Sequence, residues 1–448
     1  MTVSLAQLLR LAWPIVVSRS TQVVVGLSDS LMVASLGETA LAAVTAGGMN
    51  AWAGFIFPMG IVFIVSSFSS QLTGQGDALA ARRYGWYGLI LAALTQVLVL
   101  VTLPGLPWLM RQFGYAPDVE AAMLSYLTIR FLSTGAAVGI EALGNYYGGT
   151  GNTAILMKAN VVAMGLNVVL NWVLIFGHLG FPAMGVEGAA IASAVSTGIA
   201  FAGFLAVFIW QGRHLPAARL RMHEFTQMLR VGLPSGFNWS FEFFAFIAFV
   251  NIVVASLGTY VLAALMTVIQ INSMAFMPTF GLASAGAILV GQSIGAGDKD
   301  RVPAILWLTF RTAAIWMGCL GLVYWLMPEQ VLVPFASQGL SADFLTVGAR
   351  MLALSALWQI FDAAGITVTE TLRAAGDTAY PMWVRGLLAW GMFLPGSWIT
   401  IRYFGGTDVS AMLWLIAYLS LLAGILYWRF RSGAWRNIEL IEGPGAAH

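Results

Sequence analysis

A long internal repeat constrains this chain more than any other feature. Leu8 to Pro14 reads L-L-R-L-A-W-P, and Met228 to Pro234 answers M-L-R-V-G-L-P. Val33 to Ala43, V-A-S-L-G-E-T-A-L-A-A, is matched by Val254 to Ala264, V-A-S-L-G-T-Y-V-L-A-A. Gln71 to Asp77, Q-L-T-G-Q-G-D, returns as Gln292 to Asp298, Q-S-I-G-A-G-D. Pro14 maps onto Pro234, Gly37 onto Gly258 and Gln71 onto Gln292, so the offset stays at 220 or 221 residues. Solenoids repeat every few tens of residues. Two long halves of like design are instead the pattern of transporters with parallel structural repeats, in which two bundles rock to give alternating access.

Both halves are written for lipid. The chain is 59% hydrophobic and 9% charged, with mean hydropathy +0.83, against about 25% charged residues in a soluble domain. A net charge of +2 gives no footprint for nucleic acid. The 49 glycines suit membrane helices, where small residues permit close approach. One cysteine, Cys319, supports neither a disulfide nor a thiolate metal site, and none of the four histidines has a partner at metal-ligand spacing. Without a basic n-region or a small-residue cleavage site, the N-terminus reads as the start of the first span.

About 20 apolar residues cross a bilayer as a helix. Hydrophobic runs between Gly, Pro and charged punctuation predict twelve spans, at 8–35, 44–71, 84–107, 120–147, 155–177, 185–210, 230–256, 261–291, 303–327, 343–373, 380–402 and 409–430. The expected organisation is an N-lobe over 1–210, a connector over 211–227, a C-lobe over 228–432 and a tail over 433–448. Each half crosses an even number of times, as parallel repeats require. With both termini inside, fifteen basic residues are cytoplasmic (among them Arg82, Arg83, Arg373 and Arg385) and three, Arg111, Arg350 and Arg402, lie opposite. Arg19, Arg130 and Arg311 remain within spans. The positive-inside rule then places both ends in the cytoplasm.

A charge at mid-membrane costs about 2.5–3.5 kcal/mol on insertion scales, so it is a functional candidate. Asp29, Glu141, Glu242 and Asp362 fall well inside predicted spans, and Glu370 lies nearer the cytoplasmic end of the helix that holds Asp362. Glu242 follows Asn238 by four residues. Asp362 follows Gln359 by three, Asp29 follows Gln22 by seven, and Asn167 and Asn171 are an i, i+4 pair. Such stacks share one helix face. The structural alternative is an ion pair with Arg19 or Arg130, strongest for Glu141; both arginines are expected to partner carboxylates rather than substrate. Glu187, at the mouth of a span, reads as a helix N-terminal charge. Burial disfavours an ionised carboxylate, and a bound cation restores it. A proton, a sodium ion and a cationic guest therefore exclude one another at such a site, and that exclusion is coupling.

The glycine-rich segments Q-L-T-G-Q-G-D, Q-S-I-G-A-G-D, G-G-T-G-N-T (Gly148 to Thr153) and A-A-G-D-T (Ala374 to Thr378) look like phosphate cradles. They read better as helix ends, with Gly stopping one helix and Asp, Asn or Thr starting the next. No G-K-[ST], H-E-x-x-H or G-x-S-x-G occurs, which argues against ATP hydrolysis and hydrolase chemistry. Met49, Trp52, Phe55, Phe57 and Met59 flank Pro58, and Met274, Phe276 and Met277 flank Pro278. Core packing is the default role, but a soft Met and Phe surface also suits organic cations.

Together these residues resemble the multidrug and toxic compound extrusion (MATE) family from Leu8 to about Arg431. The marks are G-L-S-D-S-L-M-V around Asp29, Pro58, the twin Q-x-x-G-x-G-D ends, G-T-G-N-T, L-N-V-V-L-N over Leu166 to Asn171, G-L-P-S-G-F-N-W-S-F-E over Gly232 to Glu242, and Phe361-Asp362 with A-A-G-D-T. The resemblance implies an all-α integral membrane protein, twelve transmembrane helices in two six-helix lobes related by a pseudo-twofold. It also implies a central cavity and export of drugs or metabolites against entry of Na+ or H+. Asn171, with Glu242 and Asp362, is similar to the norfloxacin-exporter-like branch rather than the damage-inducible-protein-like branch, which carries Asp there.

The resemblance makes Asp29, Asn167, Asn171 and Ser193 the expected cation ligands of the N-lobe, with Ser193 standing where the family often has Thr. Glu242 and Asp362 become the coupling acids of the C-lobe. Gln22, Glu141, Asn238, Met274 and Gln359 are the expected substrate-side residues. The expected protein is a non-enzymatic antiporter of a bacterial inner membrane. It would act as a monomer on small amphipathic molecules, with no cofactor beyond the coupling ion and no nucleic-acid partner. The alternative within the same superfamily is a flippase for lipid-linked oligosaccharides, for which a more basic interior is expected.

Overall fold

The computed structural model describes residues 3–216, 219–335 and 342–441. Ala217 and Ala218 of the expected connector, and 442–448 of the expected tail, lie outside them. Every described span is helical, and no strand occurs among the described residues. In chain order they are α1 (Leu5–Ala34), α2 (Glu38–Gln75), α3 (Ala78–Arg111), α4 (Pro117–Phe131 with Thr134–Gly149), α5 (Thr153–Phe176) and α6 (Gly185–Gly212). Then come α7 (Met222–Leu257), α8 (Thr259–Gly295), α9 (Lys299–Leu326), α10 (Asp343–Ser355 with Gln359–Ala375), α11 (Ala379–Phe404) and α12 (Asp408–Arg431).

Among the described residues eight of these are long and apolar enough to cross a membrane, and the bent pairs α4 and α10, each taken as one span, make ten. α1 and α11 complete the twelve. Arg19, Gln22 and Asp29 lower the hydropathy of α1, as Trp383, Trp390, Pro395 and Trp398 lower that of α11. The polar content that weakens α1 as a span is what equips it for a site.

The Gly–Asp segments are helix punctuation. Gly76 ends α2 at φ 82, a left-handed conformation that only glycine adopts without strain, and the Asp77 carboxylate accepts from the Ala80 amide at 2.8 Å to cap α3. Where helices break inside the bilayer, freed backbone groups need protein partners. α4 bends by 46°, and Gln96 of α3 serves both sides of the break. Its Nε2 donates to the Phe131 carbonyl at 3.2 Å and its Oε1 accepts from the Gly135 amide at 2.7 Å.

Packing divides the chain into two compact units. One is Val17–Gly232; the other is the described chain from Leu233 onward together with residues up to Val16. In the first, Val62, Met123, Leu127 and Val138 are core residues, joined by Leu229 from the opening of α7. In the second, Leu8, Ala12 and Ile15 from the opening of α1 are buried with Leu265, Leu282, Ile288 and Met351. The second unit also holds two π-helical segments, Phe249–Val254 in α7 and Leu387–Phe393 in α11, whose Phe249 and Phe393 rings meet with centroids 4.7 Å apart.

Candidate functional site

In the Val17–Gly232 unit the polar faces of α1, α5 and α6 converge. Asn160, Asn167 and Asn171 are spaced by seven and four residues, so α5 presents all three along one face. The Asn171 amide donates to Asp29 Oδ1, and the Ser193 hydroxyl donates to Asp29 Oδ2 at 3.2 Å. Asn167 Nδ2 donates to Ser193 Oγ at 3.0 Å, and Asn171 Nδ2 also reaches Asn167 Oδ1 at 3.2 Å. All four side chains are buried, and among the described residues Asn171 Oδ1 has no hydrogen-bond partner. The four residues expected as cation ligands are thus one cluster. It carries one carboxylate, held only by neutral donors, beside an orphaned amide oxygen.

This cluster opens on a cavity of about 360 Å³ lined by Gln22, Asp29, Glu141, Asn160, Asn167 and Ser193 on its polar side. Trp52, Phe55, Met59, Tyr126 and Met164 supply apolar wall. Glu141 is not a free acid. Arg19 grips it with two parallel bonds, Nη1 to Oε1 at 2.8 Å and Nη2 to Oε2 at 2.9 Å, and Gln22 Nε2 donates to Oε1 at 3.4 Å. Arg130 departs from expectation. It lines the same cavity, but among the described residues no carboxylate lies within ion-pair distance, and its buried Nε has no partner.

The second unit assembles a different set. Glu242 of α7 pairs with Arg385 of α11. Asp362 of α10 lies in the field of both charges, with no hydrogen bond or ion pair to its carboxylate among the described residues. The Tyr418 hydroxyl, in the same field, is buried without a partner among the described residues. Gln359 is wholly buried and pinned, donating to Asn272 Oδ1 at 2.5 Å while Asn272 donates to Ser355 Oγ at 3.2 Å. This triad secures the 50° bend of α10. Asn238 is buried with an Oδ1 that has no partner among the described residues, and Met274 is half exposed on α8. Glu370 is tied to Arg373 three residues on. No three His, Cys, Asp or Glu side chains converge among the described residues to hold a metal ion.

The MatE family profile matches residues 14–173 and 234–399, one match in each half. The chain belongs to the MatE family. It is 28% identical to the probable multidrug resistance protein NorM of Mesorhizobium japonicum, covering 97% of this chain and 94% of that one. It is 27% identical to the multidrug resistance protein NorM of Burkholderia vietnamiensis, over 97% and 95%. Among solved structures, an outward-facing multidrug resistance MATE family transporter superposes with TM-score 0.88 at 19% identity, covering 96% of each chain. A MOP superfamily transporter from Pyrococcus furiosus gives 0.87 at 20%, again over 96% of each. This is a multi-pass membrane transporter family, and its members are not enzymes.

Within this MatE chain the repeat shows how the halves have parted. The 220-residue offset of Pro14 and Pro234 puts Phe249 at the place of Asp29 and Glu242 at the place of Gln22. Gly151 and Gly376 follow homologous helices at an offset of 225, which puts Arg385 at the place of Asn160. Asn160 donates to Ser18 Oγ of α1, while Arg385 pairs with Glu242 of α7, so this position makes a neutral inter-helix link in one half and an ionic one, to a different partner position, in the other. Sequence reading counts Arg385 with the cytoplasmic basics because it lies close to a helix start. The structure buries it beside Glu242. Asn160 had a legible signal, its register with Asn167 and Asn171; Tyr418, an isolated tyrosine in an apolar helix, had none.

Proposed function

We propose that this chain is a secondary antiporter of the bacterial inner membrane, exporting amphipathic cationic or zwitterionic compounds in exchange for Na+ or H+. It acts as a monomer with both termini in the cytoplasm. One observation carries the reading: Asp29 is held only by neutral donors and faces a 360 Å³ cavity with aromatic walls. A volume of this order belongs to small-molecule sites. An alkali cation takes oxygen ligands, and the Asp29 carboxylate with the unpartnered Asn171 oxygen offers them. A proton satisfies the same carboxylate. Either occupant opposes a cationic guest, which couples uptake of the ion to expulsion of the guest.

The names of the relatives, multidrug resistance proteins, support drug export. In the other unit Arg385 already compensates Glu242, so Asp362 is the acid left for a second role in coupling. The test is ethidium efflux from proteoliposomes, with sodium and proton gradients imposed separately. The expected result is gradient-driven efflux that Asp29→Asn reduces at least about tenfold while the protein still inserts. A trace indifferent to both gradients, or unaltered in the variant, overturns the proposal.

A further inference from the structure

The charges around the Asp29 cavity do not cancel in the manner expected of a cation binder. Glu141 is neutralised by Arg19. That leaves Asp29 and Arg130, one acid and one base, both lining the chamber and neither in an ion pair among the described residues. Arg130 has a neutral neighbour, the Tyr126 hydroxyl, and an Nε without a partner. Arg130 is half-buried, and the Asp29 charge answers it only through space, without an ion pair, so its N–H groups are poorly satisfied. It gains most from a planar anion that takes two of its N–H groups at once. The remaining wall, Trp52, Phe55, Met59 and Met164, fits a flat hydrocarbon body rather than a phosphate.

We infer that Arg130 is the anchor for the carboxylate of an aromatic, zwitterionic guest, whose cationic group meets Asp29. This rests on the exporter reading and narrows its substrate class. An anchor of this kind discriminates between a free acid and its ester, because the ester cannot accept the paired charge-assisted bonds.

The test uses the full chain in lipid nanodiscs and two dyes, rhodamine 110 and its methyl ester rhodamine 123, read by fluorescence polarisation. The wild-type protein is expected to bind the acid about tenfold tighter than the ester, and Arg130→Gln to remove that preference by weakening the acid alone. Equal losses for both dyes would mark Arg130 as a structural residue or a modulator of Asp29, and overturn the inference. An acid affinity unchanged in the variant does the same. A wild-type protein with no preference for the acid also overturns it, and that reading needs no variant to fold. Gradient-driven efflux of the ester by the wild type separates the two proposals. Driven efflux without acid preference removes the anchor and keeps the exporter; preference without driven efflux does the reverse.

Discussion

At the scale of single residues, the difference between Glu141 and Asp29 is a difference of partners. Both are acids within α-helical spans, yet Glu141 is closed by a two-pronged arginine and Asp29 by an amide and a hydroxyl. A buried pair such as Arg19–Glu141, with side-chain exposures of 10% and 4%, is worth little relative to apolar packing but much relative to half a pair. Arg19→Met or Glu141→Leu alone strands a charge and should cost about 3–5 kcal/mol of stability. The joint replacement Arg19→Met with Glu141→Leu should recover most of it. Thermal unfolding of the four proteins in one detergent checks this, and strictly additive losses would show that the pair is not coupled.

At the scale of helices, small residues set how closely the spans approach. A Cβ on Gly149 would stand 2.7 Å from the Ser69 Cβ, 2.8 Å from the Ser66 carbonyl oxygen and 2.9 Å from the Ser70 amide nitrogen. Two of these are backbone atoms that cannot swing away. Gly149→Ala should therefore force α4 from α2 and cost about 1–3 kcal/mol. Gly198, in α6, has nothing within 4 Å of such a Cβ, so Gly198→Ala should be neutral or slightly stabilising. A pair of denaturation curves decides it; equal loss in both would mean that helix approach is not the controlling term. Twelve spans were legible because apolar runs and Gly–Asp corners recur in the chain itself. The Asp29 cluster was legible as a stripe of asparagines at helical spacing, together with family likeness. The π segments around Phe249 and Phe393 were not, since an extra residue in a helical turn leaves the apolar run unbroken. Nor was the depth of Arg385, whose burial depends on Glu242 lying on another helix, 143 residues earlier.

At the scale of the whole molecule, two questions remain physical: which way the chain faces, and whether its two acid sites serve one cycle. For the first, Cys319 is the sole cysteine, so a Cys319→Ala background allows single reporters. Ser432→Cys, exposed after α12, should resist a membrane-impermeant maleimide in spheroplasts and react once they are lysed. Phe181→Cys, exposed between α5 and α6, should react at once. The reverse pattern would invert the orientation. For the second, the halves have diverged so that one keeps Asp29 where the other has Phe249, while the other gains Glu242 and Arg385. An alternating-access cycle makes each step depend on the one before, so removing either acid stalls the same turnover. Asp29→Asn and Asp362→Asn should each slow gradient-driven efflux at least about tenfold, and the double variant should be no slower than the worse single. Multiplying losses would instead indicate two acids that act on the limiting step independently of each other. Efflux rates normalised to inserted protein, measured for all four combinations in one lipid mixture, distinguish the two outcomes.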